Sequence, residues 1–143
     1  MVTKIISHRG RTSNESPDNT LQSIGDAIDF NIDMVEFDVR RTRDGQIVCF
    51  HDAEIGDKPL MSLSFSEVTE MNPLIPTLEQ VLRSAKGKIQ VDIDLKETGY
   101  ENEVINILLA YFEYDDFIMK SFDRQVIKRI KEIDSRVHTG LLM

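Results

Sequence analysis

Strand-length apolar runs alternate with helix-length amphipathic runs along most of this 143-residue sequence, and the strand-like runs end in histidines or charged residues. A side-chain period of two marks strands and one of 3.6 marks helices. On that basis Lys4 to Ser7, Met34 to Val39, Ile47 to Phe50, Ile89 to Leu95, Phe117 to Met119 and Val137 to Leu142 read as strands. Helical spacing joins Leu21, Ile24, Ala27 and Ile28, and recurs over Glu103 to Phe112 and Arg124 to Ile133. Thr77 can cap a further helix anchored by Leu78, Val81 and Leu82, and Ser64 a short one within the weakly patterned stretch 53–75. Such alternation predicts a parallel sheet or a β/α barrel. Asp44-Gly45 is a hairpin-type turn signal, and the path from Val39 to Ile47 is short for a parallel crossover. A parallel arrangement is nonetheless expected there, since it carries Glu36, Asp38 and His51 to one end.

The most unusual run is Val35-Glu36-Phe37-Asp38-Val39. Two carboxylates two residues apart in a strand point to the same face. There they repel each other and are costly to desolvate. Either Lys and Arg meet them in a salt-bridge network, or a divalent cation neutralises both with hard oxygen ligation. The run 89–95 repeats the pattern, with Ile89, Val91, Ile93 and Leu95 on one face and Asp92, Asp94 and Lys96 on the other.

Composition narrows the function classes. The chain is 41% hydrophobic and 29% charged, enough apolar material for one core, so residues 1–143 are expected to form a single domain. Seventeen basic against 25 acidic residues leave a net charge of -8. No basic stripe stands out, and Lys128, Arg129 and Lys131 fit the solvated face of one helix, so no nucleic-acid partner is expected. The single cysteine, Cys49, sits in a strand-like run as a small buried hydrophobe and permits no disulfide framework. Met1-Val2-Thr3-Lys4 leads directly into Ile5-Ile6, and no apolar run approaches membrane-spanning length. A soluble cytoplasmic protein with no transmembrane segment is expected.

Strand ends carry the site in α/β barrels. Here they carry His8-Arg9, Glu36 with Asp38, His51, Asp94 with Lys96, and Lys120-Ser121. Singly, each has a plain reading as a solvated or satisfied side chain. Together they suit phosphoryl chemistry, in which a metal and fixed cations hold a phosphate while two histidines supply acid and base.

The order of His8-Arg9-Gly10, Pro17-Asp18-Asn19-Thr20, Glu36-Phe37-Asp38-Val39, Thr42-Arg43-Asp44-Gly45, His51-Asp52, Pro76-Thr77-Leu78-Glu79 and Lys120-Ser121-Phe122 resembles glycerophosphodiester phosphodiesterases, from His8 nearly to the end of the chain. The resemblance implies a TIM-type (β/α)8 barrel that hydrolyses glycerophosphodiesters to glycerol 3-phosphate and an alcohol with Ca2+ or Mg2+. It implies His8 and His51 as the catalytic acid/base pair. Glu36, Asp38 and Asp94 become metal ligands, and Arg9 and Lys96 bind the substrate phosphate. Asp18 and Asp94 stand where the family has Glu, each shorter by one methylene, which suits the flexible shell of Ca2+ better than octahedral Mg2+.

A complete barrel takes about 250 residues. Strands ending near His8, Val39, His51, Lys96, Lys120 and Leu142 make six, so the last two βα units are expected to be missing. Three expectations follow: the chain is a fragment of a longer enzyme, it closes a barrel with fewer strands, or a homo-oligomer covers the exposed sheet edges. Two functions follow: a metal-dependent phosphodiesterase acting on a small phosphodiester, or a non-catalytic phosphate-ester binding module derived from that family.

Overall fold

The computed structural model describes residues 4–10 and 18–143, so the expected loop Arg11 to Ser16 and Pro17 of the turn motif lie outside the described residues. In chain order the elements are β1 (Ile6–Ser7), α1 (Leu21–Asp29), β2 (Met34–Arg41), β3 (Ile47–Cys49), a small hairpin of β4 (Glu54–Ile55) and β5 (Lys58–Pro59), then α2 (Phe65–Met71) and α3 (Leu78–Ala85). The second half alternates strictly: β6 (Gln90–Leu95), α4 (Glu101–Tyr111), β7 (Phe117–Ser121), α5 (Arg124–Ile133) and β8 (Thr139–Leu141). Short side chains start several helices. Thr20, Ser64 and Thr77 each close a capping box with the third helical residue, and Asp123 accepts from Gln125 N at the head of α5.

Strands β1, β2, β6, β7 and β8 lie side by side in that order, every pair parallel, as expected of a barrel segment. Five parallel strands among the described residues leave the arc three short of eight, rather than two, because β3 is no barrel strand. It pairs antiparallel with β2, Val39 opposite Cys49 and Arg41 opposite Ile47, which corrects the parallel arrangement read from the sequence. The reason is local. The Thr42 to Gln46 connection is too short for a crossover, and Gly45, at φ 84°, takes the left-handed backbone that the turn requires. Thr42 N donates to Gln46 O at 2.9 Å and closes it.

The antiparallel return still delivers His51 to the expected end. Strand β2 runs two residues beyond its last pairing with β6, at Val39 with Leu95, and β3 doubles back along that extension. Phe50 N then donates to Asp38 O at 3.0 Å, so His51 emerges beside the acidic stretch of β2.

The sheet buries both faces differently. Val35, Phe37, Val39, Val91, Ile93, Leu95, Phe117 and Met119 pack outward against Ile24, Leu78, Val81, Leu82, Val104, Leu108, Val126 and Ile130 of the helices, forming the main core. A second, smaller cluster of Val48, Ile55, Leu60, Leu63, Val68 and Ile75 organises the weakly patterned excursion. The concave inner face carries the charges. Lys128, Arg129 and Lys131 are exposed on α5, as expected. Among the described residues no helix is long and apolar enough to cross a membrane.

Candidate active site

Parallel register sets the centre of the site. Glu36 lies opposite Asp92 and Asp38 opposite Asp94, so adjacent strands hold four carboxylates on one face. Asp38, Asp92 and Asp94 are buried. Glu36, Asp38 and Asp94 each offer an oxygen within 4.8 Å of the others. Oε1 of Glu36, Oδ1 of Asp38 and Oδ1 of Asp94 are buried without a hydrogen-bond partner, the first two meeting the ion-pair contacts of His8 and Lys96. A buried carboxylate oxygen left unsatisfied is costly, and a hard divalent cation uses such oxygens as ligands. The three residues therefore fit a metal ion.

Electrostatics agree with that fit. Burial, with the charges of Asp92, Asp38 and Asp94, raises the Glu36 carboxyl from its ordinary 4.5 to about 7, although Lys120 opposes the shift. Burial likewise raises Asp92 and Asp94 against the pull of Lys120 and Lys96. Burial also works against ionised Asp38, yet hydrogen bonding to Asn19 and the charges of Lys96 and Arg9 hold it below the usual range. A bound cation would keep all of these groups ionised by direct attraction.

Arg9 and Lys96 flank this centre. Arg9 Nε lies 3.2 Å from Asp38 Oδ2, and Lys96 Nζ lies 3.2 Å from Asp38 Oδ1 and 2.7 Å from Asp94 Oδ2. Burial disfavours the charged lysine, but Asp94 and Asp38 outweigh that and raise it. Arg9 has left-handed backbone, φ 55° and ψ 26°, unusual for a side chain of that size, and its carbonyl accepts from Asn19 N at 2.8 Å. His8 Nε2 is 3.1 Å from Glu36 Oε1, with the ring largely exposed.

His51 is reached from the other side. Its Nδ1 is 2.7 Å from Asp52 Oδ1. Its carbonyl accepts from Arg40 Nε at 3.0 Å and Nη2 at 2.7 Å. Thus Glu36, Asp38, Asp94, Arg9, Lys96 and His8 form one contact network, while His51 joins it through backbone held by Asp38 and Arg40.

Sequence reasoning gave no role to four residues of this network. Asn19, within the quoted turn motif, donates from Nδ2 to Asp38 Oδ2 at 3.1 Å and accepts from Asp38 N at 3.0 Å. It fills the gap on the edge of β2 between β1 and β3, and its φ of 57° is one that asparagine tolerates. Asp92 was legible as a same-face neighbour of Asp94, but its pairing with Lys120, at 2.6 Å, depends on strand order. Arg40 carried no signal. Ser121 of the Lys120-Ser121 motif serves the fold, donating to Leu95 O at 2.8 Å. Cys49 is buried as expected, and burial pushes its thiol up.

Residues 8–143 match the model of the glycerophosphoryl diester phosphodiesterase family. A glycerophosphodiester phosphodiesterase of Caldanaerobacter subterraneus subsp. tengcongensis is 26% identical over 164 residues, covering 99% of this chain and 67% of its own. The structure of a glycerophosphodiester phosphodiesterase from Thermotoga maritima superposes with a TM-score of 0.86 at 27% identity, covering 100% of this chain and 63% of the other. An Oleispira antarctica phosphodiesterase, solved in complex with the product sn-glycerol-3-phosphate, gives 0.84 at 25% identity, with 97% and 65% covered. The chain therefore spans 63–67% of the length of these proteins. With the match running from His8 to the last residue, the chain belongs to the glycerophosphoryl diester phosphodiesterase family.

Proposed function

We propose that this chain acts in the hydrolysis of glycerophosphodiesters to glycerol 3-phosphate and an alcohol, with a divalent cation, Ca2+ or Mg2+, held by Glu36, Asp38 and Asp94. The observation that carries the reading is the cluster of Glu36, Asp38 and Asp94, each offering a carboxylate oxygen within 4.8 Å of the others, beside Arg9 and Lys96. When bound, the cation supplies positive charge against the phosphodiester and the charge that develops in transfer. Arg9 and Lys96 are held by Asp38 and Asp94 with their charge at the rim, where they orient the phosphate. His8 and His51 are the acid/base pair. With Asp52 ionised, His51 keeps its proton on Nδ1 and exchanges one with substrate at Nε2. The relative bound to sn-glycerol-3-phosphate supports the product assignment.

The test is hydrolysis of glycerophosphocholine by the purified chain with Ca2+, with Mg2+ and with EDTA. Turnover is expected only with metal. Replacing His8 or His51 by Ala is expected to lower it about 10²- to 10⁴-fold while phosphate and metal binding persist. Metal binding with no turnover in the wild type would replace this reading by the phosphate-ester binding module.

A further inference from the structure

Four carboxylates share the inner face of β2 and β6, but only three belong to the metal-sized cluster. The fourth, Asp92, is fully buried, and its Oδ1 has no hydrogen-bond partner. What faces it is Lys120 of β7, whose Nζ lies 2.6 Å from Oδ2. The lysine is steered there by β8. Gly140 is its register partner, and a Cβ at that position would lie 3.2 Å from Lys120 Cγ and 3.5 Å from Cε. The lysine stem thus runs across a glycine, and three consecutive strands of the sheet cooperate to bring one ammonium to one carboxylate.

Arg9 and Lys96 make their ion pairs with Asp38 and Asp94, beside the carboxylates that would hold the divalent cation, and neither is paired with Asp92. Asp92 is paired instead with Lys120, and a buried carboxylate needs such a positive partner. Paired carboxylates on neighbouring elements are also the ligand set with which two-metal phosphoesterase centres hold a second ion. A lysine ammonium is a compact point charge on a flexible stem, suited to take that place. We propose that Lys120 is the resident second cation of this site, restricting its four carboxylates to a single divalent ion by neutralising Asp92. The proposal rests on the metal reading given above.

The experiment is titration of the full chain with Mn2+, followed by calorimetry and by electron paramagnetic resonance. The wild type is expected to bind one Mn2+. Lys120→Met should bind a second, with the spectrum of a coupled pair, whereas Lys120→Arg and the double variant Asp92→Asn/Lys120→Met should bind one. Asp92→Asn alone leaves Lys120 uncompensated beside the first ion. It should weaken that ion about tenfold, with affinity restored in the double variant. A pair that merely supports the fold would change melting temperature and leave stoichiometry and affinity unmoved. One Mn2+ at wild-type affinity in folded Lys120→Met, or unchanged affinity in Asp92→Asn should the first variant not fold, overturns the role of Lys120 alone. A wild type that binds no Mn2+ overturns the metal reading and this proposal with it.

Discussion

Glu36 shows how a single residue couples proton, metal and stability. Its carboxyl titrates near 7 in the fold against an ordinary 4.5. Between those values the folded state holds the proton more tightly than the unfolded chain, so the metal-free protein loses stability as pH rises through that window. The raised Asp92 and Asp94 act in the same sense, and the lowered Asp38 in the opposite one. Glu36→Gln removes the Glu36 titration. In EDTA the variant is expected to be more stable than wild type at pH 8 by about 2 kcal/mol, after discounting for partial screening. The difference should close toward pH 4.5, as read by urea unfolding at each pH. With Ca2+ the order reverses at pH 8, because only the wild type gains from the ion. A variant with no advantage in EDTA would mean that Glu36 is not held against its own charge.

At the scale of elements, the helix caps are separable from the chemistry. Thr77 Oγ1 accepts from Gln80 N at 3.1 Å, and Gln80 Oε1 accepts from Thr77 N at 2.9 Å, which starts α3. The same threonine bridges to Val48 of β3. Thr77→Ala is expected to cost about 1 kcal/mol, seen as a lower urea midpoint at unchanged m-value, while the affinity for Ca2+ stays at the wild-type level. An equal loss of Ca2+ affinity would show that α3 reaches the site through β3. The β2–β3 hairpin serves both core and site. It shares in the main core through Val35, Phe37, Val39, Ile47 and Cys49, and it also carries the His51 backbone to Arg40 and Asp38.

For the whole molecule, the sheet is an arc whose described edges are β1 and β8. Its outer face is satisfied by helices, and its inner face concentrates like charge. A fold built this way is stabilised by whatever neutralises that face. Saturating Ca2+, at about a hundred times its dissociation constant, is expected to add about 2.7 kcal/mol and raise the melting temperature by about 9 °C over the EDTA-treated protein. Glu36→Gln, and equally Asp38→Asn, should show no such rise. An unchanged wild-type melting temperature at that concentration would sink the metal assignment.

Much of the architecture is written in local patterns. Periods of two and 3.6, the capping threonines and the turn at Asp44-Gly45 are properties of neighbouring residues, so the sequence by itself determined where most strands and helices form, that Glu36 and Asp38 share a face of one strand, and that Asp92 and Asp94 share a face of another. It also carried the motifs that resemble the family, in order from His8 to Phe122. What the tertiary structure alone decided depends on pairings between residues distant in the chain. Strand order set Lys120 against Asp92 across 28 residues. The close of the hairpin turned β3 antiparallel while still delivering His51, because β2 outruns its neighbour β6. Asn19 became a stand-in for a missing strand rung only because β1 and β3 leave a gap along β2. Register and strand order are set by how the whole core packs, and no window of neighbouring residues contains that information.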